Sequence, residues 1–225
     1  MLNKIYLQKK RELKFRFFKK HSNKYFCIGF NKTGTTSMKK AFEDLGFLVG
    51  DQRKATLIAD KSYFIDDYNP IIRFSATAQV FQDAPFSWPL TYKYLDKAYP
   101  NSKFILTVRD SSEQWYKSLV SYHSKIYGEG NNIAPTISQL NSGAKKLNRP
   151  VNVTRVHGTD DSDPYNEKIM RDNYEKHNAD VLEYFKDRPE DLLVINLSDK
   201  EAYKKFVDFI GVESPYDKFP WENKT

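Results

Sequence analysis

One lysine and four hydroxyl-bearing residues lie close together in residues 29–37, which read GFNKTGTTS. Loops of this composition hold phosphate-like anions, because backbone amides and hydroxyl groups can point together at the negative charge. A lysine in the same loop can neutralise charge on the bound group. The residues predicted to form this anion site are Asn31, Lys32, Thr33, Gly34, Thr35, Thr36 and Ser37.

The flanking sequence predicts a strand before this loop and a helix after it. Residues 25–30 (YFCIGF) are a short apolar run typical of a buried strand. The order strand, loop, helix is the first half of a βαβ unit, and parallel α/β sheets bind phosphate at such a helix N-terminus. The helix is closed by Gly46, and its apolar stripe comprises Met38, Ala41, Phe42 and Leu45.

A second strand-to-helix junction carries an arginine. Residues 103–108 (KFILTV) form the clearest strand of the chain, and Arg109 and Asp110 follow it. An arginine at this position can bind a phosphate bidentately or form a salt bridge with an acid such as Asp110. Ser111 and Gln114 predict a capping box for the next helix. The predicted apolar stripe of that helix is Trp115, Leu119, Tyr122 and Ile126.

The remaining pattern alternates strands with helices, which predicts one α/β domain with a central, helix-covered parallel sheet. Further strands are predicted at residues 79–82 and 192–197, and a helix at residues 89–98. Residues 128–162 are rich in Gly, Asn, Ser and Asp and are interpreted as a long irregular excursion, functional or mobile.

Two more helices complete the predicted domain. The pair Asp163-Pro164 predicts the N-cap and first-turn proline of a long helix, and Ser198 with Glu201 predicts the cap of a last helix that ends at Gly211. One face of the long helix carries Met170, Tyr174, His177, Val181, Tyr184 and Phe185.

The loop differs from the phosphate loop of nucleotide kinases, G-x-x-x-x-G-K-[ST]. Gly29 and Gly34 fit the glycine spacing, but Thr35 occupies the lysine position and the lysine lies inside the loop at Lys32. The sequence has no clean acidic strand end of the Walker-B type to hold Mg²⁺, because the strand at residues 103–108 is followed by an arginine. A divergent nucleotide kinase or phosphohydrolase stays open as an alternative, with the displaced lysine against it.

Two segments, in this order, resemble the PAPS-dependent sulfotransferases, where PAPS is 3'-phosphoadenosine 5'-phosphosulfate. FNKTGTTS resembles that family's 5'-phosphosulfate-binding loop, and KFILTVRD resembles its 3'-phosphate-binding element. The resemblance extends from about Phe26 to the end of the sequence. A bacterial-type branch is indicated by a YxxHN helix and an FPxxNK tail, formed by Tyr174, His177, Asn178, Phe219, Pro220, Asn223 and Lys224.

The resemblance implies a P-loop-like sulfotransferase architecture with PAPS as co-substrate and a hydroxyl acceptor, a sugar or glycan among the candidates. Lys32 would neutralise charge on the oxygen between phosphorus and sulfur, and Arg109 would bind the 3'-phosphate. The family's partner serine would fall at Lys117, so Ser118, one residue further, is the candidate. Asp83, at a predicted strand end, would take the acceptor proton; alternatively it is a turn aspartate before proline.

Other residues could serve as the base, and acceptor contacts are expected in residues 128–162. Asp51 and Asp60 follow the first helix, and His177 could titrate usefully, although a core histidine is commoner on an apolar stripe. No Cys/His cluster has metal-ligand spacing, so no metal is predicted.

The positive charge of the chain is concentrated in a predicted basic arm, residues 1–24, before a sulfotransferase domain at residues 25–225. The first 20 residues hold eight Lys or Arg against Glu12 alone, which accounts for the net charge of +7. A neutral body argues against a nucleic-acid-binding protein. The arm is expected either to pack on the domain as a helix or to contact anionic lipid or polymer.

Cellular location is predicted from cysteine usage and hydropathy. The single cysteine, Cys27, suits a reducing compartment, and the sequence has neither a membrane-length apolar run nor a signal-like N-terminus. A cytoplasmic protein, peripheral to a membrane at most, is therefore expected. A scaffold that binds a nucleotide or a membrane without catalysis is the non-enzymatic alternative. The oligomeric state is not predicted.

Overall fold

The structure is a computed structural model that describes residues 23–142 and 149–220, so that residues 1–22 of the predicted arm lie outside it. Within these ranges the strands are β1 (Tyr25–Cys27), β2 (Val80–Phe81), β3 (Lys103–Thr107) and β4 (Leu192–Ile195). The helices are α1 (Thr35–Asp44), α2 (Gln52–Ser62), α3 (Asn69–Ser75), α4 (Thr91–Ala98), α5 (Ser112–Tyr127), α6 (Ile137–Ser142), α7 (Arg149–His157), α8 (Glu167–Phe185) and α9 (Ala202–Ile210), with 3-10 turns at Tyr63–Ile65 and Pro189–Asp191.

The strands form one parallel sheet in the order β2-β1-β3-β4. Phe26 of β1 pairs with Phe81 of β2 and with Phe104 of β3, and Ile105 pairs with Leu193 of β4. From β1 the chain passes to β2 on one side of β1, and it then crosses to β3 on the other side of β1. The loops after β1 and β3 therefore flank the point where the strand order reverses, which is where open α/β sheets bind ligands. The predicted α/β fold with a central parallel sheet is confirmed.

Both faces of the sheet are covered by helices, which explains why its central strands are mostly apolar. Because successive strand residues point to opposite faces, Phe26 packs in one cluster with Phe185 of α8. Cys27 packs in the other cluster with Phe42 of α1 and Phe206 of α9. Helices α1 and α8 thus hold β1 from opposite sides.

The excursion predicted for residues 128–162 contains two helices, α6 and α7, so the prediction of an irregular segment is wrong there. Leu140, Val153 and Val156 are buried in a third cluster with Trp115 and Met170. The helical pattern was missed in the sequence because most of the surrounding residues are polar. This small core stabilises the segment away from the sheet. Helices α2 and α3 were not predicted either.

The predicted apolar stripe of α5 is correct only in its first half. Trp115 and Leu119 are fully buried, whereas Tyr122 and Ile126 are 38% and 44% exposed. The second half of α5 lies beside the loop after β1, where Tyr122 contacts Lys32.

The N-terminal cap of α5 forms in a variant of the predicted arrangement. The Ser111 hydroxyl accepts a hydrogen bond from the Gln114 amide at 3.1 Å. The Gln114 side chain accepts from the Asp110 amide at 3.0 Å, one residue before the position that a capping box requires.

The caps predicted for α8 and α9 are wrong. Asn166 caps α8 by accepting from the Ile169 amide at 3.1 Å, and Asp163 supports that cap by accepting from the Asn166 side chain at 2.9 Å. Ser198 bonds to the side chain of Asn196, and α9 begins after Glu201 without a side-chain cap. Neighbouring Asn and Asp side chains compete for these positions, because each can bond to nearby backbone amides.

None of the helices in residues 23–142 and 149–220 combines the length and the apolar character needed to cross a membrane.

Candidate active site

The loop after β1 turns on two residues with left-handed backbone conformation, Lys32 (φ 69°) and Gly34 (φ 103°). A Cβ atom at Gly34 would lie 2.6 Å from Leu197 Cδ2, so space as well as conformation requires glycine. Helix α1 begins at Thr35, and no side chain caps its first turn. The first amides of α1 therefore present the positive end of the helix dipole at the loop.

The loop is tied to the end of β3 by its own hydroxyl group. Thr33 Oγ1 donates to the carbonyl oxygen of Phe30 at 2.5 Å and lies 2.6 Å from Thr107 Oγ1, which can then donate to it. The Thr33 side chain is 1% exposed. The hydroxyl of Thr33, which was predicted to be part of the anion site, holds the loop in place. Thr36 is the exposed hydroxyl residue of this turn.

Two side chains, one just after β3 and one on α5, form hydrogen bonds with carbonyl groups of the loop after β1. Arg109 Nε donates to the carbonyl oxygen of Lys32 at 2.7 Å. Trp115 Nε1 donates to the carbonyl oxygen of Asn31 at 3.0 Å. A guanidinium has five N–H donors, so one bond to the loop leaves donors for an anion. The loop after β1 and the junction after β3 are therefore one structural unit.

The Lys32 ammonium lies within a positive cluster. Lys32 Nζ is 3.9 Å from the ring centroid of Tyr122 on α5, a cation–π contact. Burial lowers the pKa of Lys32, the charges of Arg109 and Lys125 lower it further, and Asp83 opposes them. A bound anion would relieve this repulsion and favour the charged lysine.

Tyr122 and Lys125 are site residues that the sequence analysis missed. Tyr122 was assigned to the apolar stripe of α5, and Lys125 was not singled out. Their spacing could have indicated the face that they share, because Trp115, Ser118, Tyr122 and Lys125 recur at helical intervals of three and four.

Asp83 has both features that were weighed for it. It follows β2 with a left-handed backbone (φ 61°), and its Oδ1 accepts from the Ala84 amide at 2.8 Å, as expected of a turn aspartate. Its charge also acts on Lys32, which places it at the same site. The carboxylate is half-buried.

The other candidate bases have structural partners elsewhere. Asp51 is exposed and caps α2 by accepting from the Lys54 amide at 3.0 Å. Asp60 accepts from the Asn152 side chain at 3.0 Å. His177 is 3% exposed, and burial lowers its pKa, so the neutral ring donates to the Ile28 carbonyl oxygen at 2.9 Å. Among the four candidates, Asp83 is the one whose charge acts on Lys32.

Two residues of the YxxHN motif on α8 form hydrogen bonds with the backbone just after β1 and β3. Tyr174 Oη accepts from the Arg109 amide at 2.9 Å, while His177 bonds to the carbonyl group just after β1. The tyrosine and the histidine of the motif therefore position the loop after β1 and the junction after β3. In the FPxxNK tail, Phe219 packs on Tyr203 and Phe206; Asn223 and Lys224 lie outside the described residues.

Ser118 presents a buried hydroxyl on the site-facing side of α5. Its Oγ atom has no hydrogen-bond partner in the part of the chain that the structure describes. Lys117 instead points to solvent, where it forms an ion pair with Glu113 at 2.5 Å. The role of Ser118 as an anion-binding residue stays a prediction.

Two cavities border this unit. One of about 200 Å³ lies beside Asn31 and Asp83 and is lined further by α2, α5 and α7. The other, of about 610 Å³, lies between α1, the segment after β4 and Phe219, and includes Leu197 in its wall. Leu197 is also the side chain that limits Gly34. Among the described residues no group of His, Cys, Asp and Glu could hold a metal ion.

A comparison with protein-family models matches residues 24–225 to a family described as a sulfotransferase domain. A search of curated proteins finds no match. The matched range includes the loop after β1, the junction after β3 and both cavities. Because it covers nearly the whole chain, the protein belongs to the sulfotransferase-domain family.

Proposed function

We propose that the protein transfers a sulfuryl group from PAPS to an alcohol hydroxyl, with a sugar hydroxyl as the first candidate. The observation that carries this proposal is the bond from Arg109 Nε to the carbonyl oxygen of Lys32. It joins an arginine suited to the 3'-phosphate with a loop suited to the 5'-phosphosulfate. One ligand bearing both anions would therefore meet a single, prearranged site.

The residues supply what sulfuryl transfer requires. The acceptor oxygen forms a bond to sulfur, and the bond between sulfur and the phosphate oxygen breaks, with its electron pair staying on that oxygen. Lys32 and the first amides of α1 would stabilise this developing charge. Asp83 would take the proton of the attacking hydroxyl. The second product is adenosine 3',5'-bisphosphate.

The positive cluster explains how the donor would be held. Burial lowers the pKa of Lys32 most, and the positive charges of Arg109 and Lys125 lower it further. The donor's anionic groups would turn this repulsion into attraction. Ser118 would add a hydroxyl to the arginine side of the site.

The alternative of a nucleotide kinase or phosphohydrolase has weaker support. A kinase loop places its lysine immediately after the second glycine, where this chain has Thr35. The lysine that is present turns toward Tyr122, and the neighbouring strand β3 is followed by Arg109 rather than by an acid.

Thermal unfolding in EDTA tests the proposal without an acceptor. Adenosine 3',5'-bisphosphate should raise the melting temperature more than equal concentrations of AMP or ATP do, because ligand that binds the folded state stabilises it according to its affinity. A parallel series with Mg²⁺ in place of EDTA completes the test, and stabilisation by ATP that requires Mg²⁺ and exceeds that by the bisphosphate would favour the kinase instead.

A further inference from the structure

The Lys32 ammonium lies against an aromatic ring rather than against an acid. Its Nζ atom is 3.9 Å from the centroid of the Tyr122 ring, well within the ~6 Å over which a ring face attracts a cation. Three charged groups act on the same ammonium, namely Arg109, Lys125 and Asp83. In the described part of the chain, Lys32 forms no salt bridge with any of the acids. The ring is therefore the direct restraint on this side chain.

Helix α5 contacts the loop after β1 at two points. Trp115 Nε1 donates to the Asn31 carbonyl oxygen at 3.0 Å, and Tyr122, which follows Trp115 by two helical turns, contacts the Lys32 side chain. Trp115 is fully buried, whereas Tyr122 is 38% exposed. The inner contact thus holds the loop backbone, and the outer contact holds the lysine head group at the edge of the site.

The backbone of Lys32 is already fixed, so the freedom that is left lies in its side chain. Its left-handed conformation (φ 69°) belongs to the turn of the loop, and its carbonyl oxygen accepts from Arg109 Nε at 2.7 Å. A lysine side chain is long and flexible, and it loses rotamer freedom when a ligand immobilises it. A contact that orders the ammonium beforehand reduces that loss.

An aromatic ring can orient a positive charge without neutralising it. An acid in contact with Lys32 would cancel the charge that an anionic donor requires, and Asp83 would in addition be lost as a base. The ring face instead attracts one side of the ammonium. Because an ammonium group has three N–H donors, those that point away from the ring stay available to oxygen atoms of a bound anion.

We propose that Tyr122 is a positioning residue, whose ring holds the Lys32 ammonium in place for the phosphosulfate group of PAPS. This inference rests on the proposed sulfuryl transfer. Tyr122 acts through Lys32 and needs no contact of its own with the donor. Without the ring, the donor itself would have to order the lysine, and the ammonium would be free to move toward Asp83.

The first arm of the test compares Tyr122→Leu, which removes the ring, with Tyr122→Phe, which keeps it. Calorimetry in EDTA should show PAPS binding that is about threefold to tenfold weaker for Tyr122→Leu, the effect of ordering one flexible side chain. Tyr122→Phe should remain within about twofold of the unaltered protein. The matched control is Ile126→Ala, one turn further along α5 and 44% exposed, which should leave PAPS affinity unchanged.

The second arm is a double-mutant cycle, because Tyr122 also lines the cavity next to Asp83 and could contact a ligand directly. Tyr122→Leu is introduced into the Lys32→Ala variant, and PAPS affinity is measured again. If the ring acts through the lysine, the second substitution should change affinity by less than about twofold. The melting temperatures of all variants, recorded alongside, report whether each protein is folded.

The outcomes separate this inference from the proposed function. Absence of binding by adenosine 3',5'-bisphosphate would refute the sulfuryl transfer itself. Where the bisphosphate binds, equal losses of PAPS affinity from Tyr122→Leu with and without Lys32 would overturn the positioning role alone. The same holds for a loss in Tyr122→Phe as large as that in Tyr122→Leu. Unchanged or tighter PAPS binding by Tyr122→Leu would also overturn it, since the ring would then not assist the donor.

Discussion

The two sides of the site differ in how completely their polar groups are satisfied within the protein. The loop side is formed by residues 29–37 and the junction after β3. There the side chains of Thr33, Arg109 and Trp115 form hydrogen bonds of 2.5–3.0 Å that hold the loop in place. On the cavity side, formed by α2, α5 and α7, Asn152 Oδ1 and His157 Nδ1 have no partner in the described ranges.

This difference concerns how firmly the polar groups of each side are held within the protein. The loop side is held by neighbouring strand ends, so its amides and cations are in place before a ligand arrives. Such preorganisation favours stabilisation of charge in a transition state. On the cavity side, Asn152 Oδ1 and His157 Nδ1 have no hydrogen-bond partner among the described residues, so this side is less completely bonded within the protein.

The largest effect is expected from substitution of Asp83, which lines the cavity and whose charge acts on Lys32. Asp83→Asn keeps the shape and tolerates the left-handed backbone, but it removes the base. Single-turnover transfer should fall by about 10²–10⁴. Affinity for adenosine 3',5'-bisphosphate, measured beside it, should hardly move. Near-normal transfer would remove the assignment and redirect attention to Asp51, Asp60 and His177.

Lys32→Ala tests the loop side and should lower turnover by about 10²–10³, the effect of losing one preorganised charge-stabilising group. Some donor affinity should also be lost. Because the free enzyme holds the pKa of Lys32 below its ordinary value, kcat/KM for the donor should fall as pH rises through that lowered pKa. Lys125→Ala, at an exposed position, is the matched control and should cost less. Equal losses in both variants would contradict a specific role for Lys32.

A smaller effect, on stability, distinguishes the two sides directly. Thr33→Val removes the hydroxyl that bonds to the Phe30 carbonyl and to Thr107, so the free energy of unfolding should fall by about 1–3 kcal/mol. His157→Phe removes an unpaired atom and should cost no stability. Urea unfolding of both variants measures the contrast. Similar destabilisation by both substitutions would show that the two sides do not differ in this way.

The smallest effect is expected from deletion of residues 1–20. The shortened chain should be close to neutral, because these residues carry the whole charge excess, and its affinity for adenosine 3',5'-bisphosphate should be unchanged. Binding to vesicles with anionic lipid should be lost if the arm makes that contact. Failure of the shortened chain to fold, seen by circular dichroism, would indicate that the arm packs on the domain.

The loop side could be predicted from sequence because each of its elements is contiguous. Residues 29–37 and 103–109 each follow an apolar strand, and parallel strands bring their C-terminal ends to one edge of the sheet. Ser118 was chosen because the sulfotransferase resemblance places a serine at position 117, which is a lysine here, and it stays a prediction.

The cavity side could not be predicted in the same way, because its parts are distant in sequence. Asn152 meets Asp60 across 92 positions, and the composition around α7 suggested an irregular segment. Tyr122 has the apolar ring of a core residue, and only the tertiary packing places it beside Lys32. Packing between helices overrides local pattern at such positions.

Calorimetry of Arg109→Ala in EDTA tests most directly whether both phosphate elements serve one ligand. For the unaltered protein, adenosine 3',5'-bisphosphate should bind more tightly than AMP, which lacks the 3'-phosphate. The substitution should cost about 1.5–3 kcal/mol of bisphosphate affinity. AMP affinity should change much less, since AMP reports only the loop that Arg109 Nε supports. Equal affinities of the unaltered protein for the two nucleotides, or equal losses for both in the variant, would contradict a single site for the two anions.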